Sequence, residues 1–329
     1  MRSRCKWIHW IGQNYCLELK RLKYIDIAKG IGIILVVVGH LTDSEIQSFI
    51  YLFHMPLFFY LSGLLFHNSD FYIRKKTKQF VIPFIVFSII TFPIKYIERS
   101  ILQGAMYLNI SYLSLQFYNI PLWFCISLYT ISCIYYLLVK YCRNTSILLV
   151  ILTLICLGGL ALSYSKVFLP LYLSQSLLAF PFYVIGHISS NIKNRKVLFI
   201  ISIIILTYAQ IIHINTNISG LIVNHNPMLY LIPALSGIYV VLYMSKIIEK
   251  YILCNNDNED ILSFLGRNSL YIFALHWPFI TIFQRLNDTI GINRQIGSAF
   301  IFFAIIIIPL LIGWLLHFFL PRYFRPICR

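Results

Sequence analysis

Apolar stretches long enough to cross a bilayer recur along almost the whole chain, and this repetition constrains the fold more than any other feature. Spanning the hydrocarbon layer as a helix takes about 20 apolar residues. Ten segments meet that description, near 24–42, 48–66, 79–97, 119–140, 145–163, 168–190, 197–214, 227–245, 267–286 and 297–319. Of the 329 residues, 59% are hydrophobic and 12% charged. A soluble domain has no means of hiding so much apolar surface, so the bilayer is the solvent. The expected fold is all-α: a polytopic integral membrane protein with about ten transmembrane helices over residues 24–319. A basic cytoplasmic tail (1–23) precedes them and a short basic cytoplasmic tail (320–329) follows. No internal repeat and no low-complexity linker interrupts the pattern.

The net charge of +16 comes from 27 Lys and Arg against 11 Asp and Glu. Its placement explains it. Twenty-one of the basic residues fall in the tails and on one alternating set of loops, and five on the other set. Basic loops stay cytoplasmic, so both termini are expected inside. The charge thus reports orientation, and no nucleic-acid partner is implied. The apolar patch Trp7–Ile11 is too short for a signal-peptide core, which leaves the first span as the targeting signal. The eight cysteines form no CxxC pair and no metal-ligand spacing, so neither disulfides nor a metal are expected.

Ionisable groups inside spans are costly and are functional candidates by default. The first span carries Asp26, Lys29 and His40. Eleven positions bring an ideal helix back to within about 20° of its start, so Lys29 and His40 share a face about 16 Å apart along the axis. Asp26 is an i,i+3 neighbour of Lys29 and can offset its charge. The bland alternative has Lys29 snorkelling to the interface and His40 merely ending a helix. The second span, FHMPLFFYLSGLLF (53–66), returns antiparallel and places His54 at a depth near that of His40. Pro56 can kink it, Gly63 allows close helix approach, and Ser62 reads as a packing hydroxyl.

The loop RKKTKQFVIP (74–83) puts Arg74, Lys75, Lys76 and Lys78 at a helix start. Such a patch suits phosphates, although from the residues alone simple topology or anionic-lipid contact is the favoured explanation. In PLWF (121–124), Trp123 is either an interface-belt residue or a pocket wall. In LGRNSLYIFALHWPF (265–279), His276 lies deep in the membrane beside Pro278. His187 sits near the inner end of its span, His213 and His225 in an outer loop, and His317 near an interface.

The run YIDIAKGIGIILVVVGH followed by FHMPLFFYLSGLLF resembles the N-terminal signature of the acyltransferase-3 family of integral membrane acyltransferases. Within it, the chain is most similar to the short, fucose-4-O-acetylase-like branch. The RKKTK…P loop, PLWF and LGRNSLYIFALHWPF follow in the family's order, so the resemblance covers about residues 22–320. It implies transfer of an acyl group, usually acetyl, from cytoplasmic acyl-CoA to a hydroxyl of a surface glycan or lipid-linked saccharide of the cell envelope. The location implied is the inner or cytoplasmic membrane. His40 then matches the catalytic histidine and Lys29 the basic residue eleven positions before it. Many members have arginine there; lysine keeps the charge but loses bidentate geometry. Lys29 and the Arg74–Lys78 patch are expected to hold the phosphates of acetyl-CoA or another acyl-CoA, and His54 and His276 to orient the base or the acceptor. No second, extracytoplasmic catalytic domain is expected. General-base catalysis by His40 and a transient acyl-histidine both remain open. A secondary transporter or flippase of envelope intermediates is the alternative from another class, since buried Asp, Lys and His suit proton coupling.

Overall fold

The computed structural model describes residues 22–42, 44–103, 119–189, 195–223, 226–252, 260–290 and 294–321. Most of both expected tails, residues 1–21 and 322–329, lies outside them. The described chain is helical. Its principal helices are α1 (Lys23–Leu41), α2 (Ser44–Tyr51), α3 (His54–Leu64), α4 (Tyr72–Lys76), α5 (Ile82–Gln103), α6 (Trp123–Tyr141) and α7 (Thr145–Tyr164). They continue with α8 (Leu173–Ile188), α9 (Lys196–Ile211), α10 (Pro227–Ile252), α11 (Ile261–Arg267), α12 (Ser269–Ile290) and α13 (Arg294–Phe319).

Among the described residues, six helical segments are long and apolar enough to cross a membrane. They are Lys23–Leu41, Ile120–Tyr141, Thr145–Tyr164, Pro170–Ile188, Pro227–Tyr251 and Ala299–Phe319, and the protein is therefore a multi-pass membrane protein. Of the ten or so spans expected from apolar runs, the described residues support these six. Two further apolar stretches, Lys196–Ile211 and Ser269–Gln284 within α12, also lie among the described residues. The expected span 48–66 breaks at Leu52–Phe53, where Phe53 leaves helical geometry. Pro56 falls in the first turn of α3, where its missing N–H leaves no intrahelical bond unmade. It starts a helix rather than kinking one. The segment from residue 79 begins inside a π-helical turn, Thr77–Val81, before α5.

Helix α1 is the axis of the bundle and packs against α2, α3, α10, α11, α12 and α13. By contrast, only 11% of the apolar stretch of α7 and 22% of that of α13 are buried. The outer faces of both carry Leu, Ile, Val, Phe and Trp, as a lipid-facing helix should. Lipid tails are as apolar as leucine, so burial alone cannot hold such helices together and close packing must. Glycine supplies it. A Cβ on Gly63 would collide with the Tyr183 carbonyl oxygen, and one on Gly186 with the Tyr60 carbonyl oxygen, so α3 and α8 cross backbone to backbone. Gly30 and Gly266 make the same reciprocal contact between α1 and α11. The close approach anticipated for Gly63 is present, and it seats α3, the helix that His54 opens, against α8.

Candidate active site

Three histidines from three helices meet at the C-terminal end of α1. His40 lies in its last turn, His54 opens α3, and His276 lies within α12. The His40 and His276 rings are 5.1 Å apart between centroids, and the Trp277 ring meets His40 edge-on at 5.1 Å. His54 joins them through Tyr51, whose ring lies 4.8 Å from His54 and whose hydroxyl lies 3.1 Å from His40 Nδ1.

The hydrogen bonds fix two of the three tautomers. His54 Nδ1 is 2.9 Å from the Ile50 carbonyl oxygen, and His276 Nδ1 is 2.7 Å from that of Phe273. A carbonyl only accepts, so both Nδ1 atoms carry a proton, and in the neutral rings both Nε2 atoms are then bare acceptors. His276 is fully buried, and its Nε2 has no hydrogen-bond partner among the described residues. A buried group left unsatisfied costs about 1–3 kcal/mol. A hydrogen-bond donor reaching that nitrogen would relieve the cost.

Asn119 holds α12 in place here. Pro278 has no N–H, so the Ala274 carbonyl one turn earlier lacks its helical donor. The Asn119 side-chain amide supplies it at 2.6 Å. Asn119 leads through the 3-10 turn Ile120–Leu122 into α6, so this junction docks directly on the helix carrying His276. Trp123 is buried, with its ring 6.2 Å from that of Phe59. It is an inner wall, not an interface-belt residue.

The opposite end of α1 carries the cations. Lys29 is half-buried, and its charge is felt by Lys76. The basic loop divides. Arg74, Lys75 and Lys78 are exposed, whereas Lys76 is 7% exposed, with its Nζ 5.3 Å from the Tyr72 and Phe80 ring centroids. Burial pushes the Lys76 ammonium down to about 8, with Lys29 and Lys75 adding repulsion. Around it, the Tyr72 and Tyr183 hydroxyls are 2.7 Å apart, and the Tyr135 hydroxyl is 2.7 Å from His187 Nδ1. This end of α1 therefore gathers tyrosines and an imidazole around a buried amine rather than presenting a charged surface alone.

A family model described as an acyltransferase domain matches residues 22–318. The chain belongs to the acyltransferase-3 family. No curated protein matches it. No solved structure does so either. Membership makes this protein an acyltransferase, not the transporter that buried ionisable groups also suggested. Of the residues singled out in this acyltransferase, the fold brings His40, His54 and His276 to one end of α1 and Lys29 and Lys76 to the other. It leaves Arg74, Lys75 and Lys78 facing outward. Two residues escaped the sequence. Tyr51 reads as one more aromatic in an apolar run; its only signal is its place three positions before His54. Asn119 shows none, because what it satisfies is created by a proline far away in the chain.

Proposed function

We propose that the protein is a membrane O-acyltransferase, acetyl being the simplest acyl group, with cytoplasmic acyl-CoA as donor. The acceptor is a hydroxyl of a cell-envelope glycan or lipid-linked saccharide, and His40 is the general base. The observation that carries this reading is the separation of two stations along one helix. The buried amine of Lys76 lies within reach of the charge of half-buried Lys29, and imidazoles gather around His40 about 16 Å from Lys29 along α1. The extended pantetheine arm of a CoA suits such a separation. Its phosphates would lie at Lys76 and Lys29, and its thioester near His40. Asymmetry in the basic loops supports a cytoplasmic location for the amine station and for both termini.

In the chemical step the acceptor oxygen attacks the thioester carbonyl while its proton passes to His40 Nε2. The C–S bond then breaks, and the imidazolium returns the proton to the leaving sulfur. The bare Nε2 atoms of His54 and His276 are suited to accepting a hydrogen bond from the acceptor and turning it toward His40. The decisive experiment reconstitutes the chain in vesicles with acetyl-CoA as donor and octyl glucoside as a membrane-soluble sugar hydroxyl. CoA release and acetylated glucoside are then measured. General-base catalysis contributes about 10²–10⁴-fold, so His40→Ala should lose at least the lower figure while remaining folded.

A further inference from the structure

Neither His54 nor His276 supplies the hydrogen bond on the candidate base. It is made by Tyr51, at 3.1 Å from His40 Nδ1. We infer that Tyr51 is the positioning residue of this acyltransferase. Its hydroxyl oxygen accepts the Nδ1 proton of His40 and so leaves Nε2 bare and turned away from Tyr51, toward the acceptor. This rests on His40 acting as the base, because a base needs that nitrogen unprotonated.

The hydroxyl is held where this role requires it. The Tyr51 ring is tilted against that of His54 at 4.8 Å and meets the His40 ring edge-on at 5.8 Å. Its carbonyl accepts a bond from Thr216 Oγ1 at 3.3 Å, which ties it to the segment between α9 and α10. Room for the ring comes from Gly39, where a Cβ would stand 3.3 Å from Tyr51 Cε1 and 3.2 Å from Ile50 Cγ2. Gln47, one turn before Tyr51 on α2, donates to the Gly39 carbonyl at 2.9 Å and ties the same helix to the end of α1. Other contacts thus fix the ring independently of the bond to His40. A side chain held in this way can impose an orientation on the imidazole rather than follow it. The triad logic is familiar in hydrolases, where a third group orients the base through the nitrogen that does not react. Here a neutral phenol takes that place, suited to a membrane interior where a carboxylate is costly.

Tyr51→Phe keeps the ring and removes only the hydroxyl, so packing on His54 survives. The first readout is independent of turnover. Full-length protein labelled with [15N]histidine is compared with Tyr51→Phe in detergent, His40 being assigned by the signal lost in His40→Gln. The wild type should show His40 protonated at Nδ1 and bare at Nε2, and the variant should lose that single tautomer. A wild-type His40 protonated at Nε2, or a tautomer unchanged in the variant, overturns the assignment. The second readout is turnover of acetyl-CoA with octyl glucoside. Here kcat of Tyr51→Phe should fall at least about tenfold with both KM values unchanged. On a His40→Ala background the same substitution should have no further effect. An active His40→Ala would instead sink the general-base reading. An inactive His40→Ala beside a fully active Tyr51→Phe would sink only the role of Tyr51.

Discussion

At the scale of single residues, Lys76 gives the sharpest pH prediction. Its ammonium is pushed down to about 8 by burial, with Lys29 and Lys75 adding to the effect. Below that pH the amine is charged and able to meet phosphate; above it the charge is lost. The KM for acetyl-CoA should therefore rise as pH passes upward through 8, with kcat little changed. Lys76→Met should show a high KM without that inflection. A hydrogen bond to a charged group contributes about 1.5–3 kcal/mol, so the KM increase should be at least about tenfold. Neutralising the exposed Arg74, Lys75 and Lys78 together should change KM less; a larger effect there would place the donor on the outer surface. Asn119→Ala removes the donor that serves the Ala274 carbonyl beside Pro278. It should cost about 1–3 kcal/mol, read as a lower midpoint of thermal unfolding in detergent. Charged and imidazole groups were legible in the sequence because a membrane makes them expensive. Tyr51 was not, because its hydroxyl is the small polar end of a residue that bilayers tolerate anywhere.

At the scale of helices, the bundle depends on where backbones touch. Two adjacent glycines in α7 make the point. A Cβ on Gly158 meets nothing within 4 Å, whereas one on Gly159 would strike the Leu177 backbone of α8. Gly158→Ala should leave the thermal midpoint unchanged or raise it, because alanine gains about 1 kcal/mol over glycine in a helix. Gly159→Ala should lower it, since overpacking a fitted contact costs about 1–3 kcal/mol. Equal effects of the two substitutions would contradict the α7–α8 crossing. Sequence cannot separate two identical neighbours whose difference lies in another helix. It did indicate Gly63, whose Ser-Gly pair sits in an apolar run, but not its counterpart Gly186. The break before His54 was hidden for a similar reason: hydropathy reads 48–66 as one stretch and is blind to the Phe53 backbone.

At the scale of the whole molecule, the all-helical membrane architecture was legible because composition leaves no other solvent. The number of spans follows from the apolar runs, and six of them are supported among the described residues. The central position of α1 was not readable from hydropathy, because α7 and α13 are the more apolar helices and lie outside. What distinguishes α1 is that its two unusual groups, Lys29 and His40, sit on a helix surrounded by six others. On the proposed function, that one helix joins the donor's phosphates to the base. The measurement that tests it most directly is acetyl-CoA turnover by vesicles carrying folded His40→Ala protein, beside wild type. Wild type should release CoA coupled to acetylated sugar, and the variant should lose at least about a hundredfold. Transfer at near wild-type rate by the folded variant would contradict it.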